Sequence, residues 1–256
     1  MTLILLPPSE TKRDGGEPPR ASGALRFADV TDARREVRDA LRRLMAGEDD
    51  EAIARAVKVG RTAAAAEIAR NRSLDGAPVM PAIDRYTGVL YDALDAESLD
   101  AGARQLAGRS VVIQSALFGP VGALDAIPAY RLSADSRLPG LRLKAVWSRP
   151  ASEALVATGE ALVDLRSASY AALAPVPATY PGDNAVTVSV VARGADGAVR
   201  ALNHFNKRGK GLFVRALLQS GTIPDSVDGL CAHAQTIGWE LTRLSAGELQ
   251  LVVPQS

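Results

Sequence analysis

The sequence predicts a mixed α/β fold (α+β), a single domain over residues 1–256 whose sheet is assembled from distant segments and flanked by helices. Three observations carry this reading. Short apolar runs of strand length, T-L-I-L-L, S-V-V-I-Q-S and A-L-V-D-L, lie far apart and are separated by stretches with helical periodicity. Late in the chain N-A-V-T-V-S-V-V-A-R, G-A-D-G and A-V-R-A-L-N-H-F follow one another as a hairpin pattern. No internal repeat or low-complexity linker divides the chain.

The elements follow in order. Pro7 and Pro8 have no N–H to donate to a ladder, so the first strand ends at Leu6. R-D-G-G-E-P-P-R-A-S-G is a loop. Asp29 to Met45 reads as a helix capped by Thr31 or Asp32. Glu51 to Asn71 reads as a second helix, with Ile53, Ala56, Val57, Ala64 and Ile68 as its buried stripe. A-P-V-M-P breaks the chain, and I-D-R-Y-T-G-V-L-Y-D-A-L is helical around Gly88. A helix over Ala96–Ala107 leads to a buried strand, Ser110–Ser115. R-L-K-A-V-W reads as a strand, Pro150–Thr158 as a helix begun by its proline, and A-L-V-D-L as a central strand. After the hairpin, Lys207–Gln219 is a helix ended by Ser220-Gly221 and Pro224. Asp225–Thr236 is another, and W-E-L-T-R-L with E-L-Q-L-V-V closes the chain as strands.

Composition narrows the function. Apolar residues make up 47% of the chain, yet no run approaches the roughly 20 that a membrane helix needs. No membrane contact is expected, and M-T-L-I-L-L-P-P is too short and uncharged for a signal peptide. The single cysteine, Cys231, excludes an intrachain disulfide and fits a reducing cytoplasm. With only His204 and His233 as imidazoles, neither a metal nor another cofactor is expected. Thirty basic and 29 acidic residues leave a net charge of +1, so any nucleic-acid affinity must come from a local concentration of cations.

Polar groups gather where a packed core has no use for them. P-P-S-E-T-K sets Ser9, Glu10, Thr11 and Lys12 just past the first strand; a polar surface loop is the alternative. D-R-Y-T-G places Arg85 and Tyr86 ahead of a glycine, Ser115 ends a strand, and Tyr130-Arg131 closes I-P-A-Y-R-L. Arg166, Ser167, Ser169 and Tyr170 follow the central strand, at the edge where open α/β sheets bind ligands. Tyr86 and Tyr130 read equally as core aromatics, Arg166 as a partner of Asp164, His204 as structural, and Cys231 as a core thiol. In N-H-F-N-K-R-G-K-G-L-F-V-R, residues 204, 208, 211 and 215 share a helical face, with Lys207 and Lys210 beside it. Cations at a helix start oppose its dipole and await an anion, unless the face is merely solvated. Crowded like charges also lower a lysine pKa.

Five boxes, L-I-L-L-P-P-S-E-T-K-R-D-G-G, R-Y-T-G-V-L-Y, S-A-L-F-G-P-V with I-P-A-Y-R-L, D-L-R-S-A-S-Y and H-F-N-K-R-G-K-G-L-F-V-R, resemble the YaaA family of peroxide-stress proteins, in family order over residues 3 to 215. The resemblance implies a bacterial, cytoplasmic protein with a YaaA-like fold. It also implies that the protein limits free iron and oxidative damage, and binds DNA partly through a helix-hairpin-helix-like element. Where many relatives carry a lysine after the proline of the first box, this chain has Glu10, with Lys12 two places on. The nearest match to the hairpin is F-G-P-V-G, residues 118–122, spaced G-x-x-G rather than G-x-G.

Two functions are therefore expected of these residues. One is double-stranded DNA held by phosphate contacts from Gly119, Gly122, Lys207, Arg208, Lys210 and Arg215. The other is an enzyme, whether lyase, hydrolase or transferase, for a small anionic or nucleobase-like ligand. Its catalytic candidates are Glu10, Lys12, Tyr170 and Lys207, and its anion-binding candidates Ser9, Thr11, Arg85, Tyr86, Ser115, Arg131, Arg166, Ser167 and Lys210. These groups are expected to meet around one pocket.

Overall fold

The computed structural model describes residues 1–19, 24–47, 49–177, 180, 184–193, 199–201 and 205–253. Its framework is a mixed sheet of eight strands among the described residues. β1 (Thr2–Leu6) lies between β3 (Val111–Ser115) and β6 (Ala161–Asp164), parallel to both. β6 runs parallel to β7 (Ala185–Arg193), and β7 to β10 (Glu248–Val253). Antiparallel strands finish the sheet: β4 (Gly119–Gly122) on β3, β9 (Glu240–Ser245) on β10, and β8 (Val199–Ala201) on the far end of β7. All five residues of β1 are buried, as a strand covered on both faces requires, which is why it reads as an unbroken apolar run.

Register sets the site. Leu5 pairs with Val112 on one side and with Asp164 on the other. Leu165 N–H also bonds the Leu5 carbonyl at 2.9 Å. The carboxyl ends of β3, β1 and β6 thus stop side by side, and Ser115, the P-P-S-E-T-K segment and Arg166 emerge along one edge. A two-stranded sheet, β2 (Val79–Pro81) with β5 (Ala126–Pro128), stands apart.

Helices α1 (Thr31–Met45), α2 (Asp50–Ala56) and α3 (Arg61–Arg72) fill the first connection. The one-turn α4 (Ala82–Arg85) and α5 (Val89–Leu94) flank Gly88, whose φ of +95° makes the bend between them. α6 (Ala101–Ser110) precedes β3, α7 (Leu143–Val156) precedes β6, and the short α8 (Ala168–Ala171) follows it. α9 (Phe205–Gln219) and α10 (Val227–Thr236) lead to the closing β9–β10 hairpin.

Four local expectations change. The single helix over 51–71 is two, α2 and α3, because Lys58 takes φ +58° and Gly60 is extended. The carbonyls of Val57 and Lys58 are thereby turned to a side-chain donor, Arg131. R-L-K-A-V-W is not a strand but the start of α7, where Leu143, Trp147, Ala151 and Leu155 are buried at helical spacing and Pro150 sits inside the helix. Neither Thr31 nor Asp32 caps α1; a 3-10 turn over Ala28–Val30 runs into it, and Thr31 Oγ1 donates backward to the Ala28 carbonyl. The helix expected over 96–107 is a 3-10 turn at Ala96–Ser98 followed by α6, whose true cap is Asp100. The hairpin turn at 194–197 lies outside the described residues.

Candidate functional site

The first box folds back onto the R-Y-T-G box. Lys12 forms a β-bridge with Tyr86, Arg13 N–H bonds the Arg85 carbonyl at 2.9 Å, and Thr87 N–H bonds the Thr11 carbonyl at 3.2 Å. Tyr91 OH donates to the Pro7 carbonyl at 2.8 Å. The hydroxyls of Ser9 and Thr11 lie 3.2 Å apart, with Thr87 Oγ1 3.0 Å from Thr11. This clamp turns the Lys12 side chain inward.

Lys12 is 9% exposed. Its Nζ donates to the carbonyls of Ser9 (2.9 Å) and Glu10 (3.2 Å). It stands 4.2 Å from the Tyr130 ring centroid and 5.4 Å from that of Tyr86. Burial lowers the Lys12 pKa to about 7, helped by the charges of Arg131 and Arg70 and opposed by Glu67 and Glu10. An amine that is half neutral at pH 7 is a nucleophile or a base.

Beneath it three hydroxyls connect the boxes. Ser115 Oγ lies 2.7 Å from Tyr130 OH, which lies 2.8 Å from Tyr86 OH. Burial pushes both phenols far above their ordinary range. Tyr170 is half-buried at the rim. Burial raises its pKa as well, and Tyr130, Glu10 and Arg131 lie near enough to act on it.

Arg131 ties this cluster to α2 and α3. Its Nη2 donates to Glu10 Oε2 at 2.7 Å and to the Lys58 carbonyl, and its Nε to the Val57 carbonyl at 3.4 Å. Asn71, at the end of α3, grips the Arg131 backbone with both amide atoms, each at 2.8 Å. Glu10 is thus ion-paired with the Arg131 guanidinium.

A second cluster sits on the adjoining strand. Asp164 accepts from Arg166 N and Nε at 2.9 Å and from Nη2 at 2.6 Å, and Arg166 also reaches the Ala174 carbonyl. Lys210 of α9 donates to the Leu165 carbonyl at 2.8 Å, and its pKa is lowered by burial and by neighbouring Lys207. Ser167, Ser169, Lys207 and Arg208 are exposed around it.

Several candidates have structural work instead. Arg85 is fully buried and donates to the carbonyls of Arg13, Gly15, Pro78 and Ile127, which commits four of its five N–H groups to the backbone. Gly119 and Gly122 do not form a hairpin between helices. They begin and end β4, buried and paired with β3, and Gly119 (φ +69°) lies where a Cβ would stand 2.4 Å from Trp147. The basic face of α9 is only partly free. Lys210 is buried, and Arg215 donates to the Leu94 and Asp95 carbonyls and Ser98 Oγ. His204 lies outside the described residues.

Glu67, Arg70, Asn71 and Tyr91 also belong to the site; Tyr91 closes the R-Y-T-G-V-L-Y box without having been singled out, and no motif marked the other three. Their only signal is that all three occupy one end of an otherwise alanine-rich helix.

Comparison with known proteins gives the chain its relatives. The family model described as "Peroxide stress protein YaaA" matches residues 2–240. A "UPF0246 protein" of Streptomyces coelicolor is 41% identical over 244 residues, covering 93% of this chain and 91% of its own. One from Corynebacterium glutamicum is 40% identical over 242 residues, covering 92% and 93%. One from Corynebacterium efficiens is 40% identical over 224 residues, covering 85% of each.

Proposed function

The chain belongs to the YaaA peroxide-stress family, and from that premise we propose that it limits oxidative damage and free iron through chemistry at Lys12 on a small anionic substrate. One observation carries the proposal: Lys12 Nζ is held inward by two carbonyls and two aromatic rings at the carboxyl edge of three parallel strands, with a pKa near 7. An exposed surface lysine would be protonated at that pH and inert as a nucleophile. Lys12 is the reacting amine, and Arg131 and Tyr170 on its own cluster, with Ser167 and Lys207 of the adjoining one, receive the substrate. Glu10 orients Arg131.

The test pairs cells with protein. In a strain lacking this protein, the Lys12→Met variant is expected to leave peroxide sensitivity and chelatable iron uncorrected while the parent chain restores both. Full rescue by Lys12→Met would remove Lys12 from the function.

A second reading, duplex DNA held by its phosphates, rests on a different element. α2 and α3 are short helices joined by a four-residue turn, residues 57–60, which exposes Lys58, Gly60 and Arg61. Backbone N–H groups and cations at such a turn suit phosphate contacts without base readout. Binding of a random duplex titrated against salt tests it. Lys58→Ala/Arg61→Ala is expected to weaken binding to all sequences alike and to flatten the salt slope by about one for each phosphate no longer neutralised. An unchanged slope would set this reading aside.

A further inference from the structure

The hydroxyls of Ser115, Tyr130 and Tyr86 hold one proton more than they can share. Ser115 Oγ accepts the backbone N–H groups of Leu117 (3.1 Å) and Phe118 (2.9 Å), which fills both of its lone pairs. Its own proton must therefore point outward, to Tyr130 OH. Tyr130 and Tyr86 share the next hydrogen bond, which either can donate. Ser115 lies beside Tyr86 as well as Tyr130, and with its lone pairs filled it accepts from neither, so one phenol O–H of the cluster is left over, that of Tyr86 when Ser115 and Tyr130 donate in turn. Tyr86 is 2% exposed, and a buried donor left unpaired costs about 1–3 kcal/mol. Such a proton is placed for an arriving oxygen. Its surroundings say which one: Tyr86 is bridged backbone to backbone with Lys12, and its ring faces the Lys12 amine.

We propose that Tyr86 is the proton donor of the Lys12 site and that the substrate offers it a carbonyl oxygen, which makes the substrate an anionic aldehyde or ketone. This rests on the reading of Lys12 as the reacting amine. The neutral Lys12 nitrogen forms a bond to the carbonyl carbon, and the C=O π pair moves onto oxygen, which takes the Tyr86 proton. The positively charged nitrogen then releases a proton to the Tyr86 phenolate, leaving a neutral carbinolamine and an intact phenol. In the second half the nitrogen pair forms C=N and the C–O bond breaks. The departing hydroxide takes the Tyr86 proton and leaves as water, and the iminium proton returns to Tyr86. Amine and carbonyl become imine and water, with no oxidant or reductant. Burial suits Tyr86 to this duty, because its hydroxyl stays protonated throughout the range in which Lys12 is neutral.

The experiment uses glyoxylate, a small anionic aldehyde, with cyanoborohydride to fix any imine as a secondary amine. Peptide mass spectrometry then follows modification of Lys12 against that of exposed Lys144. In the parent chain Lys12 is expected to be modified well ahead of Lys144. Tyr86→Phe is expected to slow the Lys12 adduct by roughly 10²-fold while Lys144 keeps its rate. A parent-like rate in Tyr86→Phe overturns the inference, as does slowing confined to Tyr130→Phe, which would make Tyr130 the donor. If Lys12 of the parent chain is modified no faster than Lys144, the reading of Lys12 itself fails, a result distinct from the other two. Should Tyr86→Phe not fold, 3,5-difluorotyrosine at position 86 keeps the shape and sharpens the acid. Its rate is expected to rise several-fold, and an unchanged rate overturns the inference.

Discussion

The Lys12 amine stands 4.2 Å from the centroid of the Tyr130 ring, with two backbone carbonyls as its hydrogen-bond acceptors. The ring face and the carbonyls favour the charged form, while burial and Arg131 favour the neutral one. Burial is the larger effect, so stability and reactivity both depend on pH around 7.

The stability consequence has a definite sign. Lys12 has a folded-state pKa of about 7 against 10.5 for the ordinary side chain. Between those values the unfolded chain holds a proton that the folded chain has released, so stability rises with pH across that window. From pH 7 to pH 9 the gain attributable to Lys12 is about 2 kcal/mol. Urea unfolding at both pH values should show it in the parent chain, and Lys12→Met should lose that part of the slope. A parent chain and variant with equal slopes would mean that Lys12 is an ordinary surface amine.

Glu10 and Arg131 push Lys12 in opposite directions, so their variants should too. Arg131→Gln removes a cation that lowers the Lys12 pKa, and the pH midpoint of Lys12 modification should rise. Glu10→Gln removes a carboxylate that raises it, and the midpoint should fall. The Glu10 side chain is 60% exposed, so its loss should cost no more than about 1 kcal/mol. Midpoints that move the same way would break the electrostatic account.

Asp164→Asn should be far more damaging. The Arg166 side chain is 1% exposed, and Asp164 accepts two hydrogen bonds from it and a third from the Arg166 backbone N–H. Removing one charge strands the other in the core, at a cost of about 3–5 kcal/mol. Thermal unfolding measures it, and a melting temperature near that of the parent would show Arg166 neutralised by other means.

The cations of α9 should separate into two kinds. Lys210→Met is expected to lower stability and leave any duplex affinity unchanged, because its ammonium is committed to the Leu165 carbonyl. Lys207→Ala and Arg208→Ala, both exposed, should leave stability within about 0.5 kcal/mol of the parent. Filter binding beside a melting curve distinguishes them, and a Lys210→Met protein that is stable but defective in DNA binding would contradict the assignment.

The sequence by itself determined where the chain stops being core. Pro7 and Pro8 end β1 at Leu6, and apolar runs closed by Ser115 and Arg166 mark β3 and β6. Parallel strands in matched register bring those ends to one edge, so the meeting of the boxes followed from local pattern. The closing helices and strands were equally legible, because their periodicity is a local signal. What tertiary structure alone decided is the fate of each charge. Lys12, Lys207, Lys210, Arg85 and Arg215 look alike as letters, yet two of the lysines are buried, one arginine clamps four carbonyls, and one seals α9 against the 94–98 segment. Glu67, Arg70 and Asn71 reach the site only because Lys58 and Gly60 break a helix that periodicity runs straight through. A cation's pKa and partners depend on which carbonyls, rings and carboxylates fold around it from distant segments, and spacing along the chain does not carry that information.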